Sequence, residues 1–324
     1  MMVFGHSNAS LDELTALSLQ LLATRTWANG LVIAFGLLAT VSNIFVLAII
    51  FKSKLLRTKC FFLIAANSLV DCFLGIAYTA TASKRVYRYL AGTGEVMSQW
   101  QCFLEVHFNA LFQLMSLAMA SALIIDRFVA IVRPILYKQM TYKQLTLPLL
   151  LLSAIYSAAQ YLANLIDAYT APSTPNLFSC GIDDSLSSDM LIVLMGIQLS
   201  TSLGAVLLNV ALVIAMKVRN KTTTASIATS SKEQRVFRII TVTVLVHVLV
   251  YLAGRLFIVL APQFLDETTQ SLINRHVRDV SIYSAAMNCF FIFGSSSDFR
   301  LAARKTFGFG ASVIEPSLPN ISRL

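Results

Sequence analysis

Charged residues and tryptophan are scarce in this chain, and catalytic motifs are absent from it. Only 13% of the 324 residues are charged, whereas 56% are hydrophobic, and two residues are tryptophan. A soluble domain is about a quarter charged, and one globular core cannot bury so much apolar surface. No catalytic triad, zinc-ligand spacing or phosphate-binding loop occurs, and the four histidines lie far apart. The composition therefore predicts a membrane protein that is not an enzyme.

Seven segments are predicted to cross the membrane as helices, which gives an all-α fold. Their ranges are 28–51, 59–82, 100–133, 145–168, 189–217, 233–261 and 272–294. The seventh is the least apolar, because polar and charged residues crowd its first turns. Hydropathy alone leaves this last span open.

The basic residues indicate the orientation of these helices. The net charge is +9, but Lys and Arg fall between the hydrophobic segments, which argues against a nucleic-acid partner. Most of them lie on the side opposite the N-terminus, so we expect a plasma-membrane protein with residues 1–27 outside and the tail in the cytosol. Asn8 begins an Asn-Ala-Ser sequon in that outer segment and is a predicted glycosylation site.

An acid and a base end the third predicted span. Asp126 and Arg127 follow an apolar run, and Cys102 lies 25 residues before the arginine. A helix of that length is about 37 Å long, close to one bilayer with part of its headgroup layers. Cys102 and Arg127 are therefore expected at opposite faces of one membrane-crossing helix.

The segment around Arg127, with Pro134 and Tyr137 behind it, resembles the end of the third helix in rhodopsin-like (class A) G-protein-coupled receptors. A basic segment before the second span and a seventh span without proline make the chain most similar to nematode serpentine chemoreceptors, sx class. The resemblance implies a seven-transmembrane bundle over 28–294. A short amphipathic eighth helix and a cytoplasmic tail follow over 295–324.

The resemblance also implies a receptor that senses an extracellular small-molecule or peptide ligand and activates a heterotrimeric G protein. At the cytosolic end, Arg127 is expected to pair with Asp126 and with Glu233, at the start of the sixth span. Breaking these pairs would free Arg127 for the G protein, as in a two-state switch. For Glu233, a solvated charge is the alternative.

Two of the five cysteines lie in predicted outer, oxidising territory. They are Cys102, at the head of the third span, and Cys180, in the loop after the fourth. The topology favours a disulfide that ties this loop over the mouth of the bundle, and the family pattern agrees. Two free thiols are the alternative.

Asp71 is a carboxylate inside the second span, where an unpartnered charge is costly. The resemblance supplies Asn43, Ser116 and Asn288 as its partners. In related receptors these positions surround a hydrated sodium ion, and oxygen ligands suit a hard cation. An allosteric sodium ion is the only cofactor we expect, and a water-bridged polar core without an ion is the alternative.

Candidate ligand contacts lie on the third span. Glu105, Asn109, Gln113 and Ser116 follow one another at spacings of four, four and three, so they share one helix face. The upper members are expected to line an outward cavity. Further candidates on the sixth and seventh spans are Tyr251, Arg255 and Arg278. Amine receptors carry an aspartate at the position of Asn109, so the asparagine argues against a monoamine ligand. The acidic outer loops favour a cationic ligand. For each of these residues, helix–helix contact is the alternative role.

Several family features are missing from the sequence. Cys289 follows Asn288 where the family has proline, and Ile292 stands at the place of its tyrosine. The fifth and sixth spans contain no proline, which removes the usual kinking device. A receptor-like scaffold that has lost coupling, and an ion-conducting or transport protein, are therefore kept as alternatives to the signalling receptor.

Overall fold

The computed structural model describes residues 11–56, 58–93, 97–170, 180–182, 185–222 and 280–308, with a few isolated positions between 249 and 264. Within these ranges the secondary structure is helical, and no strand is formed. The α-helices are α1 (Leu11–Lys52), α2 (Lys59–Leu90), α3 (Gln99–Val132), α4 (Pro134–Gln139), α5 (Tyr142–Thr170), α6 (Ser188–Thr222), α7 (Val280–Ser295) and α8 (Ser297–Phe307). The prediction of an all-α fold is confirmed for this part of the chain.

In the described part of the chain, five helices are long and apolar enough to cross a membrane, and they overlap with the first five predicted spans. They are Thr26–Lys52, Lys59–Leu90, Gln99–Val132, Tyr142–Thr170 and Ser188–Ala215. Residues Ser281–Gly294 of α7 form a shorter apolar helix within the seventh predicted span. The sixth predicted span, 233–261, lies almost wholly outside the described residues. The chain is a multi-pass membrane protein.

Short polar residues set the helix boundaries. The N-cap residues of α2, α3 and α8 are Thr58, Ser98 and Ser296. Their side-chain oxygens accept hydrogen bonds from backbone N–H groups of the first turns of these helices. Ser98 forms a reciprocal capping box with Gln101, which satisfies two of the otherwise unpaired donors. Gly308 ends α8 in the left-handed conformation, with φ of 71°, which glycine adopts without steric cost.

Helix α3 lies at the centre of the described bundle. It packs against α2, α4, α5 and α6, while α1 packs against α2 and α7. The main hydrophobic core joins buried residues of α1, α2, α3 and α8, among them Ile49, Leu63, Met119, Ile124 and Phe299. The segment that carries Asp126 and Arg127 is therefore held on several sides by other helices.

Two glycines allow α1 and α2 to cross at close range. A Cβ atom added to Gly75 would lie 2.6 Å from the carbonyl oxygen of Gly36, and one added to Gly36 would lie 2.9 Å from the carbonyl oxygen of Gly75. Thr40 and Thr79, one turn further along each helix, donate back to these same carbonyls at 2.9 Å and 2.8 Å. Small residues at such a crossing let membrane helices approach closely.

Helix α8 has the amphipathic character predicted for the segment after the seventh span. Phe299, Ala302 and Ala303 are buried, while the basic residues of its last turn are exposed. Arg300 donates to the carbonyl oxygens of Phe293 and Gly294, at 2.9 Å and 2.7 Å. These bonds satisfy acceptors at the end of α7, so the two helices meet at a fixed junction.

Candidate functional site

Buried polar groups are concentrated along α3, from one end of the helix to the other. The end that contains Cys102 is called the disulfide end below, and the opposite end is called the Arg127 end. Asp71 lies between them, on α2, and is completely buried.

The Asp71 carboxylate is hydrogen-bonded from three helices. Ser116 of α3 donates to Oδ1 at 2.7 Å, and Asn288 of α7 donates to Oδ2 at 2.6 Å. Asn67, one turn earlier on α2, donates to Oδ2 at 2.9 Å. The buried charge thus has three donors around it, as a carboxylate away from water requires.

Two of these three donors were predicted from the sequence, and one was not. Ser116 and Asn288 contact Asp71 as the resemblance implied, but Asn43 does not. Its amide nitrogen instead donates to the carbonyl oxygens of Ala39 and Ala285, at 2.9 Å and 3.1 Å. Asn43 therefore joins α1 to α7 and is not a partner of the carboxylate. Asn67 was missed, although its spacing of four residues from Asp71 is a helical contact signal.

At the Arg127 end, the predicted pair with Asp126 forms within α3. Arg127 Nε donates to Asp126 Oδ2 at 2.9 Å, and Nη2 contacts the same oxygen. The Asp126 side chain is completely buried and that of Arg127 is 11% exposed. A buried carboxylate with a fixed guanidinium partner is much less screened than a solvated pair.

Tyr137 of α4 completes this group as a third member. Its hydroxyl accepts a hydrogen bond from Arg127 Nη2 at 2.9 Å and donates to Asp126 Oδ1 at 3.2 Å. Burial raises the pKa of the Tyr137 hydroxyl, the Arg127 guanidinium opposes this rise, and the Asp126 carboxylate adds to it. The hydroxyl therefore stays protonated at neutral pH and remains able to donate. Asp126, Arg127 and Tyr137 are called the charge lock below.

Lys59 is a further residue of this region that the sequence did not single out. Its ammonium donates to the carbonyl oxygen of Tyr137 at 2.6 Å and also contacts that of Met140. It lies 4.7 Å from the centre of the Tyr137 ring, within the range of a cation–π contact. The first residue of α2 thereby fixes α4, and with it the Tyr137 hydroxyl of the charge lock.

At the disulfide end, Cys102 and Cys180 form the predicted disulfide, with Cα atoms 5.3 Å apart. It connects the first turn of α3 to a segment before α6, and both residues are buried. Arg85 of α2 donates to the carbonyl oxygen of Cys180. The described part of this loop is therefore held both by a covalent bond and by a side chain of α2.

The four polar residues predicted to share a face of α3 all face α2. Asn109 donates to the Thr81 hydroxyl at 3.3 Å, and Gln113 accepts from Tyr78 at 3.4 Å. Glu105 forms ion pairs with basic residues of α2, and Ser116 bonds to Asp71 as above. These contacts correspond to the helix–helix alternative, and a role in ligand binding stays a prediction for each residue.

The remaining candidate residues lie outside the described part of the chain. They are Asn8, Glu233, Tyr251, Arg255 and Arg278. The glycosylation site, the second acid for Arg127 and the sixth- and seventh-span ligand contacts therefore stay predictions.

Comparison with known proteins identifies a family. The family described as serpentine type 7TM GPCR chemoreceptor Srsx matches residues 36–307. The matched range is well over half of the chain and contains the charge lock, the Asp71 network and both cysteines of the disulfide. No curated protein matches the sequence.

Proposed function

Because the chain belongs to the Srsx family of serpentine 7TM GPCR chemoreceptors, we propose that it senses an extracellular chemical or peptide ligand and activates a heterotrimeric G protein. Seven helices cross the plasma membrane in this proposal, with the N-terminus outside. The disulfide end then faces the extracellular medium, where a disulfide persists. The Arg127 end faces the cytosol, where the positive-inside rule places the basic loops.

The observation that carries the coupling proposal is the charge lock. Arg127 Nε donates a hydrogen bond to Asp126, and Arg127 Nη2 donates one to the Tyr137 hydroxyl, each at 2.9 Å. While these bonds persist, the guanidinium is turned toward its own helix and α4. Their release makes N–H donors of the guanidinium, which carries five in a fixed planar arrangement, available to a partner at the cytosolic face. G-protein binding is thus tied to an equilibrium between a closed and an open lock.

The Asp71 network supports the proposal because it links α2, α3 and α7, the helices whose relative movement the proposal requires. Asp71 joins α2 to α3 through Ser116 and to α7 through Asn288, and α3 also carries Arg127. A shift of α7 relative to α2 must break or lengthen the Asn288 bond. A ligand that favours such a shift at the outer end therefore acts on the same helix that ends in the charge lock.

The allosteric sodium ion remains a separate proposal. Asp71 and Ser116 offer oxygen atoms suited to a hard cation, and the amide oxygen of Asn288 reaches the same point if its amide is turned. As placed, Asn288 presents its nitrogen to the carboxylate. If sodium binds here, replacing NaCl by choline chloride lowers the thermal midpoint of the wild type and leaves that of Asp71→Asn unchanged. Equal effects on both proteins favour the ion-free polar core.

Basal guanine-nucleotide exchange tests the coupling proposal without a known ligand. Wild type, Asp126→Asn and Arg127→Ala are expressed at matched surface levels and assayed with a panel of Gα subunits. We expect Asp126→Asn to raise exchange on at least one Gα, because it weakens the lock while it retains the arginine. Arg127→Ala should stay at or below the wild-type rate.

Background exchange by all three proteins on every Gα, despite surface expression, would refute coupling. The scaffold and ion-conducting alternatives then separate by ion flux in proteoliposomes. A scaffold gives no flux, whereas a conducting protein gives a flux that Asp71→Asn alters.

A further inference from the structure

Four buried polar residues of α5 and α6 carry side-chain atoms that have no hydrogen-bond partner among the described residues. On α5 these are both amide atoms of Gln160 and of Asn164, and on α6 they are Oε1 of Gln198 and Oγ of Ser202. Gln160 is the most exposed of the four residues, at 8%. Buried polar atoms in folded proteins are nearly always hydrogen-bonded, so this group requires an explanation. The four residues are called the polar cluster below.

The two cluster residues of α5 face α3. Ser153 lies on the same face of α5 and donates to the carbonyl oxygen of Ala118 of α3, at 3.3 Å. Gln160 follows Ser153 by seven residues and Asn164 follows it by eleven, which are about two and three turns of a helix. Helix α3 is described over its whole length and forms no hydrogen bond with either amide. The helix against which these amides pack therefore leaves them unpaired.

The two cluster residues of α6 face α3 as well. Leu194 of α6 packs in one cluster with Leu114 of α3, and Ala205 of α6 belongs to the main hydrophobic core together with residues of α3. Gln198 and Ser202 lie between these two positions, at spacings of four, four and three residues. Such spacings place them on the same face of the helix.

A hydrogen bond between α5 and α6 shows that their cluster residues lie at the same level of the bundle. The Tyr156 hydroxyl of α5 is bonded to the Thr201 hydroxyl of α6 at 2.8 Å. Gln160 is four residues from Tyr156 and Gln198 is three residues from Thr201, both toward the disulfide end. Each step is about one helical turn, so the two amides lie beside each other along the bundle.

The polar cluster begins close to the disulfide end. There, the Asp167 carboxylate of α5 accepts hydrogen bonds from the backbone N–H and the hydroxyl of Ser187, at 2.7 Å and 2.6 Å. Asn164 lies three residues before Asp167, about one turn further into the bundle. A molecule that enters from the disulfide end therefore meets Asn164 first and the amide of Gln160 about one turn deeper.

The helix segments around the polar cluster carry no charge. The sequence has no Asp, Glu, Lys or Arg at 106–125 of α3, 147–166 of α5 or 190–216 of α6. A charged group placed beside these segments would be buried without a counter-charge from them, which is strongly disfavoured. An uncharged group with both donors and acceptors would supply the missing hydrogen bonds without that cost.

We propose that the polar cluster binds an uncharged head group of the ligand in which a donor and an acceptor are adjacent, as in a carboxamide. Gln160 and Asn164 each present N–H donors and a carbonyl acceptor, so a carboxamide pairs with either of them through two hydrogen bonds. The acidic outer loops act on the approach of a ligand, whereas the polar cluster selects it by contact. The inference deepens the proposed function, on which it rests for treating the bound molecule as the ligand of a receptor.

Neutral and charged probes that share a tail test this inference. The full-length receptor is placed in phosphatidylcholine nanodiscs, and its thermal midpoint is followed with primary amides from propanamide to octanamide. The N,N-dimethylamide, the amine and the carboxylate of each tail length are compared with them. We expect at least one primary amide to raise the midpoint saturably, and its dimethylamide to act about tenfold more weakly, because it lacks the N–H donors.

Three results would overturn the inference. They are the absence of a saturable effect of any primary amide, equal effects of the primary and dimethylated amides, and saturable stabilisation by an amine or a carboxylate. In the first case the polar cluster is filled by water alone.

Substitutions locate the binding site within the bundle. Gln160→Met and Asn164→Leu remove the amides with little change of volume, and each should weaken amide binding about tenfold or more, because paired hydrogen bonds are lost. Asn209→Leu is the matched control, since Asn209 is also buried and lies about 16 Å further along α6 than Gln198. It should leave amide binding unchanged. Wild-type amide binding by both α5 variants, or equal weakening by Asn209→Leu, would show that the ligand does not bind at the polar cluster.

The two proposals fail in distinguishable ways, because amide binding is measured without a G protein. Amide binding without nucleotide exchange retains this inference and refutes coupling. Nucleotide exchange without amide binding retains coupling and overturns this inference.

Discussion

Replacing Tyr137 by phenylalanine tests the charge lock with the smallest structural change. The substitution removes one hydroxyl and retains the ring that lies against Lys59. The lost hydroxyl accepts from Arg127 at 2.9 Å and donates to Asp126 at 3.2 Å. We therefore expect Tyr137→Phe to shift the receptor toward the open lock and to raise basal nucleotide exchange.

The size of this shift follows from the contacts that remain. A hydrogen bond to a charged group contributes about 1.5–3 kcal/mol. The direct contacts of Arg127 with Asp126 persist in the variant, and Tyr137 is only partly buried, so water replaces some of the lost bonding. We take about 1.5 kcal/mol as the net effect, which is roughly a tenfold change in the ratio of open to closed receptor.

The assay is basal exchange on the Gα that responds best to Asp126→Asn, at matched surface expression. Tyr142→Phe is the control, because Tyr142 lies nearby, at the start of α5, with its ring against Phe62 and outside the lock. We expect a rise of about tenfold for Tyr137→Phe if the open form is rare and no change for Tyr142→Phe. An unchanged rate in Tyr137→Phe, on a Gα that Asp126→Asn activates, would contradict the role given to this hydroxyl.

Three further predictions concern other contacts. Gly75→Ala should lower the thermal midpoint by the equivalent of about 1–3 kcal/mol, because the new Cβ meets a carbonyl of α1 at 2.6 Å. Gly30→Ala should not lower it, because the new Cβ meets no atom of the described residues within 4 Å. Equal midpoints of the two variants would refute the close crossing. Asn164→Leu should raise the midpoint, because the buried amide of Asn164 has no hydrogen-bond partner among the residues that the structure describes and its burial costs about 1–3 kcal/mol. A lowered midpoint would show that the amide is bonded. Lys59→Met should raise basal exchange in the wild type but should add little in a Tyr137→Phe background, because both substitutions weaken the contact of Tyr137 with the charge lock. Additive effects of the two substitutions would refute this common mechanism.

The first five membrane helices and the main polar residues were predictable, because long apolar segments indicate the helices and a charge inside such a segment is informative by itself. Asp71 and Arg127 stand out in the sequence, and the 25 residues from Cys102 to Arg127 fix the length of α3 between its two ends. The four-residue spacing predicted a common face for Glu105 and Asn109, and the structure shows it. The spacing does not predict which helix packs against that face, and the structure shows that this helix is α2.

Contacts between residues distant in sequence account for what was missed. Lys59 reads as a charge that orients the membrane helix, and its role depends on the carbonyl groups of α4 being within reach. The ion pairs of Glu105 likewise form only because the last turns of α2 lie beside the first turns of α3. Asn43 was assigned by analogy, and its rotation toward Ala285 is decided by the packing of α1 against α7.

The most direct test of the proposed activation mechanism is formation of the nucleotide-free complex between receptor and G protein. Wild type, Asp126→Asn and the double variant Asp126→Asn/Arg127→Ala are reconstituted in nanodiscs with heterotrimer, treated with apyrase and separated by size. If release of Arg127 opens the G-protein site, Asp126→Asn yields more complex than wild type and the double variant yields none. Equal complex from the double variant and from Asp126→Asn would contradict the mechanism, because the G protein would then bind without the arginine.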